Sequence, residues 1–229
     1  MRVVGACNDD EHVLGSPRCS RAAFRIGARS APVVPARPVH LGQTLSVLGR
    51  GKNDPTVRVL SPECVWITAR HQGLAVSARF TRVPGGSNVA ALERDIVVDA
   101  WGPGASEWIS SAPNWCGAAD DWTAFESSPA YDLLPEQLRL ARRRHPGLRL
   151  PATGAVTDRA VIAIIEQRVT AIEAIRAYRY LVGLAGEPAP GPAPAGMFVP
   201  PTAERWRTIP SWQWHRAAWI LTVPPPSCE

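Results

Sequence analysis

Tryptophan has the clearest potential for chemistry near the end of this sequence, in "IPSWQWHRAAWILTVPPPSCE". Trp212, Trp214 and Trp219 follow one another closely there. Flat aromatic rings stack on nucleobases, which makes such a cluster a candidate platform for nucleic acid. Aromatic residues at this spacing more often pack in a core. The segment therefore indicates either a base-stacking wall or a helix that closes a domain.

Arginine is concentrated in a second stretch, "RLARRRHPGLR" at 139–149. Each basic side chain that reaches a phosphate adds salt-dependent affinity for nucleic acid. The alternative is the solvent-exposed side of a helix, which would end near His145 because Pro146 follows it. We expect no metal-binding role for His145, since no partner for it is recognisable in the sequence.

Acidic residues form weaker patterns. Glu166 lies next to apolar residues in a helical segment, and burial there would raise its pKa. A solvated position on the helix is the simpler interpretation. Asp120 and Asp121 are adjacent, and successive residues seldom converge on one site, so a turn or a helix cap is predicted. None of these patterns assigns a catalytic residue.

Cofactor and metal motifs are absent from the sequence. The cysteines, at positions 7, 19, 64, 116 and 228, form no C-x-x-C pair. The stretch "GRGKNDP" at 49–55 lacks the spacing of a phosphate-binding P-loop. We therefore expect no cofactor and no metal, and free thiols of the kind found in a reducing cytoplasm.

The composition is that of a globular protein, with 45% hydrophobic and 20% charged residues among 229. Its aliphatic runs fall far short of the roughly 20 residues that a membrane-spanning helix needs. The N-terminus is acidic where a signal peptide would be apolar. The net charge of +5 permits a polyanionic partner such as nucleic acid. We expect a cytoplasmic protein that does not contact membranes.

The elements that must position these residues begin with a sheet. Four segments alternate apolar and polar residues or are rich in β-branched ones: "TVRVL", "CVWITAR", "LAVSARF" and "RDIVVDAW". Turn-like "SPE", "HQG" and "PGGSN" separate them, which predicts an antiparallel sheet over about 55–101. Tryptophans at 66, 101, 108, 115 and 122 are expected to pack between this sheet and the helices that follow.

Helical patterns take over after residue 104. "ASEWISSA" and "PEQLRLARRR" predict short helices, the second with Pro135 in its first turn. Apolar spacing predicts two longer helices, over 156–168 and 171–184, with a capping box formed by Thr170 and Glu173 at the break between them. Thr202 is the predicted cap of a later helix. A sheet followed by helices gives an α+β class.

The domain division follows from these patterns. Residues 1–35 show no period and are predicted to be a disordered leader. An N-terminal antiparallel sheet domain is predicted over 36–112 and a partial helical domain over 113–217. Residues 218–229 form a divergent tail.

Several stretches in this order resemble the 3-methyladenine DNA glycosylase II family, in its actinobacterial form. They are "DAWGPGASEW", "RRHPGLRLPATG", "AIIEQRVTAIEAIRAYRYLV", "GEPAPGPAP" and "VPPTAERWRTIPSWQWHRA". That family belongs to the helix-hairpin-helix glycosylases of base-excision repair. The resemblance implies a small sheet of the TATA-binding-protein kind, followed by an all-helical domain that grips double-stranded DNA and receives an extruded, alkylated base.

The resemblance also implies functional residues. Gln167 and Arg168 match the family segment that borders the base pocket, and Trp214 is a candidate for the same pocket or for DNA contact. Gln167 has a simpler interpretation as a helix-end residue that bonds the broken backbone near Thr170. In the family the catalytic Asp follows a Gly-rich hairpin that holds a DNA phosphate.

The sequence after Arg216 contains neither that hairpin nor that Asp. We therefore expect a C-terminally truncated, monomeric member of the family that is inactive alone. Two alternatives stay open: a non-catalytic DNA-binding remnant, and a non-functional product of a disrupted gene.

Overall fold

The computed structural model describes residues 27–82, 95–167 and 169–219 of the chain. Its first half contains a five-stranded antiparallel sheet with strand order β1-β5-β4-β3-β2. The prediction of an antiparallel sheet is confirmed. The strands are β1 (Arg29–Val33), β2 (Val57–Ser61), β3 (Cys64–His71), β4 (Leu74–Arg82) and β5 (Ile96–Trp101).

Local turn chemistry explains the tightest connection of the sheet. Gln72 and Gly73 join β3 to β4 with φ values of 50° and 81°. Two successive positive φ values are the geometry of a type I′ turn, whose twist matches that of the strands it joins. The predicted turn in "HQG" is therefore confirmed, and it sets the register that pairs His71 with Leu74.

Strand β1 corrects one prediction. Arg29–Val33 lies inside the predicted disordered leader, yet it pairs with the whole of β5, from Arg29 opposite Ala100 to Val33 opposite Ile96. The partner strand is far away in sequence, so no local pattern marks this pairing. Residues 1–26 of the predicted leader and most of the predicted tail lie outside the described residues.

Helices follow the sheet, and a small second ladder joins β6 (Glu187–Pro188) to β7 (Phe198–Val199). The predicted helix over 105–112 forms as two short helices on either side of a 3₁₀ turn at Ile109–Ser111. Pro135 precedes its helix instead of lying in the first turn. The helices are α1 (Leu41–Ser46), α2 (Ala105–Trp108), α3 (Ala112–Trp115), α4 (Thr123–Glu126), α5 (Pro129–Asp132), α6 (Glu136–Arg144), α7 (Val156–Ile165), α8 (Ala171–Ala185), α9 (Ala203–Arg207) and α10 (Ser211–Trp219).

One face of the sheet packs against α1, α2 and α3. Phe80 and Val98 at its centre are fully buried, and Trp108 and Trp115 close the cluster from the helical side. The Trp108 ring meets Phe80 edge-on at 6.1 Å between centroids. The predicted position of these two tryptophans between sheet and helices is confirmed.

The opposite face of the sheet carries the other predicted tryptophans. Trp66 and Trp101 stack at 5.1 Å and are covered by Met197, from an extended Pro-rich segment and not from a helix. Arg79 lies 5.8 Å from both rings and forms an ion pair with Asp99 at 2.8 Å. This buried pair fixes the centre of the face, because a buried charge is tolerated only when it is paired.

Helix α8 organises the second apolar cluster. Its buried residues recur at the helical spacing of an amphipathic stripe and meet residues of α7, α9 and α10, among them Ile162, Trp206 and Ala217. At its start the predicted capping box is confirmed. The Glu173 amide donates to Thr170 Oγ1, and the Thr170 amide donates to the Glu173 carboxylate at 2.7 Å.

The cysteines differ from the sequence prediction. Cys116 is a free, buried thiol, and burial raises its pKa to about 11. Cys64 takes part in a disulfide bond, so the expectation of free thiols does not hold for it. Among the described helices, none has both the length and the apolar character needed to span a bilayer.

Candidate nucleic-acid interface

The break between α7 and α8 presents polar and apolar side chains to solvent. Gln167 is exposed, and its backbone N–H donates to the Ile164 carbonyl at 3.3 Å, which closes the end of α7. Ile164 and Val169 beside it are exposed apolar residues. Arg168 lies outside the described residues. The break therefore has the mixed character of a surface that could meet a base and its sugar.

Glu166 at the same break is not an isolated buried acid. Its carboxylate accepts from Arg50 Nε at 2.6 Å, and both side chains remain partly exposed. Arg50 follows α1 and is itself held by its amide, which donates to Asp54 at 2.6 Å. The pair ties the helical part of the chain to the loop that precedes β2.

The tryptophans of α9 and α10 divide into packing and exposed residues. Trp214 is half-buried against the buried Trp206 at 5.9 Å, so it forms part of a core wall. Trp212 is 58% exposed and presents its ring to solvent. The side chain of Trp219 lies outside the described residues. Of the described tryptophans on α10, Trp212 is therefore the one placed to stack on a base.

Gln167 and Trp214 belong to different elements, the end of α7 and helix α10. Gln167 precedes the first turn of α8, whereas the start of α10 packs near Tyr180, whose hydroxyl donates to the Gln213 side chain. Tyr180 is nine residues into α8 from Ala171, which corresponds to about 14 Å along the helix axis. Gln167 therefore lies before the first turn of α8, whereas the start of α10 contacts the later part of α8.

Exposed arginines lie on α8 and on the neighbouring α10. Arg176 and Arg179 are exposed on α8, on the side away from its buried stripe. Arg216 of α10 lies over the Tyr180 ring at 5.9 Å. Within the described ranges none of these three arginines forms an ion pair. We call Arg176, Arg179 and Arg216 the α8–α10 basic face; unpaired guanidinium groups of this kind suit phosphate oxygens.

The predicted basic run at 139–149 contains both exposed arginines and arginines that are paired or buried. Arg143 and Arg144 are exposed at the end of α6. Arg142 instead pairs with Glu126 at 2.6 Å, and Arg149 is buried. Only part of the run is thus available as a solvent-exposed surface.

A cleft of about 480 Å³ lies beside the start of α7, lined by Asp158, Glu204 and Arg70. Burial raises the pKa of Asp158, although the charges of Arg159 and Arg70 oppose that shift. A carboxyl group that keeps its proton more readily can act as a general acid. Nothing in the sequence marks Asp158, since the cleft that it lines is formed together with residues of α9 and of the β3–β4 turn. In the ranges that the structure covers, no three His, Cys, Asp or Glu side chains group as metal ligands.

Comparison with known proteins identifies the fold. No protein-family model and no curated protein sequence matches the chain. The 3-methyladenine DNA-glycosylase from Archaeoglobus fulgidus aligns with a TM-score of 0.57 and 16% identity, over 84% of this chain and 66% of that one. The chain thus shares its α+β fold with that glycosylase and spans somewhat less than two thirds of its length.

A second solved structure is more distant. The 8-oxoguanine glycosylase/lyase of Clostridium acetobutylicum, in its apo form, aligns with a TM-score of 0.45 and 10% identity, over 66% of this chain and 50% of that one. This likeness is too weak to establish a shared fold.

Proposed function

We propose that the chain is a DNA-binding protein related to the actinobacterial 3-methyladenine glycosylases and serves the repair of alkylated purines in double-stranded DNA. The observation that carries this proposal is the fold shared with the Archaeoglobus fulgidus glycosylase over 84% of the chain. The α8–α10 basic face supplies the charge that duplex DNA requires. The protein is proposed to act as a monomer in the cytoplasm, without contact to membranes.

The roles within this proposal follow the geometry. Arg176, Arg179 and Arg216 contact backbone phosphates, which fix register without reading sequence. Gln167, with Arg168 beside it, borders the extruded base at the α7–α8 break. Trp212 replaces Trp214 as the stacking residue, because the Trp214 ring packs against Trp206.

Cleavage of the glycosidic bond of an alkylated purine requires particular groups in the protein. An alkylated purine carries positive charge and leaves readily, so the enzyme must hold the extruded base and place a carboxylate near the developing oxocarbenium ion. In the family that carboxylate follows the Gly-rich hairpin, and the resemblance assigns neither feature to a residue described here. We infer that the residues described here bind damaged DNA without cutting the glycosidic bond.

One observation favours a second candidate function. Asp158 lines a cleft large enough for a sugar or a base, and burial raises its pKa. If Asp158 supplied the missing carboxylate, the wild-type chain would release alkylated base and an Asp158→Asn variant would not. If the Asp158→Asn variant no longer released the base but bound DNA with unchanged affinity, the function would be catalysis and not binding alone.

Fluorescence anisotropy with a labelled duplex, at several salt concentrations, tests the binding proposal. We expect saturable binding whose affinity falls steeply as salt rises, since each phosphate contact releases counterions. Binding that does not depend on salt, or no binding at low salt, would contradict it and would favour a non-functional product.

A further inference from the structure

A small cavity near α4 and α6 has three guanidinium groups in its wall. It measures about 150 Å³ and is lined by Arg37, Arg142 and Arg149, with Trp122 at one side. The volume exceeds the roughly 30 Å³ that one water molecule occupies in the liquid, so a tetrahedral oxyanion fits. None of these residues belongs to the α8–α10 basic face, and the proposed DNA-binding role does not use them.

Arg149 is the least compensated of the three. It is 2% exposed, and its Nη1 donates to the carbonyls of Pro146 and Leu148. Its Nε is buried without a hydrogen-bond partner. The negative charge of Asp120 favours the charged form of Arg149, but the two side chains form no ion pair among the described residues. A buried cation with an unused donor is costly unless an anion is present to pair with it.

The two carboxylates of the cavity are already engaged. Glu126 accepts from Arg142 Nε at 2.6 Å. Asp121 accepts from the Thr123 hydroxyl and lies 3.6 Å from Arg37. Neither is paired with Arg149, so the lining keeps a net positive charge at its buried end.

The remaining contacts hold the guanidinium groups in place. Arg142 lies over the Trp122 ring at 5.1 Å and donates to the Pro146 carbonyl at 2.9 Å. Arg37 donates to Thr123 Oγ1 at 2.8 Å. Burial lowers the pKa of Arg149, and the nearby charges of Arg142 and Arg37 lower it further. The three groups therefore repel one another in the arrangement that the fold imposes.

We propose that this cavity binds a phosphate group, with Arg149 as its buried donor and Arg37 at its entrance. Guanidinium groups match phosphate oxygens through paired, charge-assisted hydrogen bonds. The phosphate belongs either to a small molecule with a terminal phosphate or to the backbone of DNA. Both sources present the same oxyanion, and they differ in whether DNA competes for the cavity.

The test is a thermal-melt series with inorganic phosphate, in which sodium chloride keeps the ionic strength constant. We expect the wild-type melting temperature to rise and saturate, as ligand binding to the native state requires. Arg37→Gln removes an exposed donor and should weaken phosphate binding about tenfold, on the scale of one hydrogen bond to a charged group. Arg143→Gln on α6 is the matched control and should leave binding unchanged.

Arg149→Gln tests the buried donor and should abolish the phosphate effect. If that variant does not fold, the pair Arg37→Gln and Arg143→Gln still decides the matter. A shift that chloride alone reproduces, or one that both variants lose equally, overturns the proposal. Competition between phosphate and duplex DNA assigns the site to the DNA backbone, and its absence assigns it to a small phosphate compound.

Discussion

Replacing Arg176 and Arg179 together by alanine is expected to remove most of the salt-dependent affinity for duplex DNA. Both side chains are exposed, and neither forms an ion pair among the described residues. Alanine is also the better helix former, so α8 should keep its fold. The loss therefore reports on DNA contact and not on stability.

The magnitude follows from counting phosphate contacts. Three contacts by the α8–α10 basic face give a log–log slope of affinity against salt of about −2.7, and the double variant, with one contact left, gives about −0.9. Raising salt from about 50 to about 200 mM should then weaken wild-type binding roughly 40-fold and the variant's roughly three- to fourfold. The slopes differ even if unrelated contacts set the absolute affinity.

Anisotropy titrations at four salt concentrations measure both slopes on the same duplex. Arg143→Ala combined with Arg144→Ala removes the same charge from α6 and serves as the control. The opposite result would refute the assignment to α8. In that case the salt slope becomes shallower in the Arg143 and Arg144 double variant and stays unchanged in the Arg176 and Arg179 double variant, which places the interface on the basic run at 139–149.

Three further predictions concern stability. Asp158→Asn should be more stable than the wild type at neutral pH and equal to it below the ordinary carboxyl pKa of 3.8, because the raised pKa of Asp158 makes the wild type lose stability as pH rises from that value through the folded-state pKa. Chemical denaturation at pH 3 and pH 7 checks this, and an equal difference at both pH values would exclude titration as the cause. Thr170→Ala should cost about 1 kcal/mol by removing the bond to the Glu173 amide, whereas Thr170→Ser should cost little. Asp99→Ala should cost about 3–5 kcal/mol because it breaks a buried ion pair with Arg79, and a loss below 1 kcal/mol would contradict the assigned role of the pair.

Local chemistry made much of the fold predictable. Strands β2 to β5 each pair with the next strand along the chain. The turn at Gln72 and Gly73 and the capping box at Thr170 depend on neighbours a few residues away. Strand β1 could not be predicted, because "RSAPV" has a weak pattern and its partner β5 lies some 65 residues further along the chain. The domain boundaries at 112 and 217 stay predictions, whereas β1 shows that the sheet begins before residue 35.

The candidate site was less predictable than the fold. The sequence identified the α7–α8 break through Gln167, but nothing local distinguishes the packed Trp214 from the exposed Trp212. The α8–α10 basic face requires knowing which side of α8 is buried. The signal was present in the sequence as two arginines, Arg176 and Arg179, placed between apolar positions of the predicted helix.

The most direct test of DNA binding without base removal is a base-release assay on a duplex that contains 3-methyladenine. The purified wild-type chain, at a concentration that saturates binding in the anisotropy titration, is incubated with this duplex, and free base is measured against a no-protein blank. We predict that the DNA is occupied and that no base is released above the blank. Release of the base at a rate proportional to bound protein would contradict this prediction and show that the chain carries its own catalytic carboxylate.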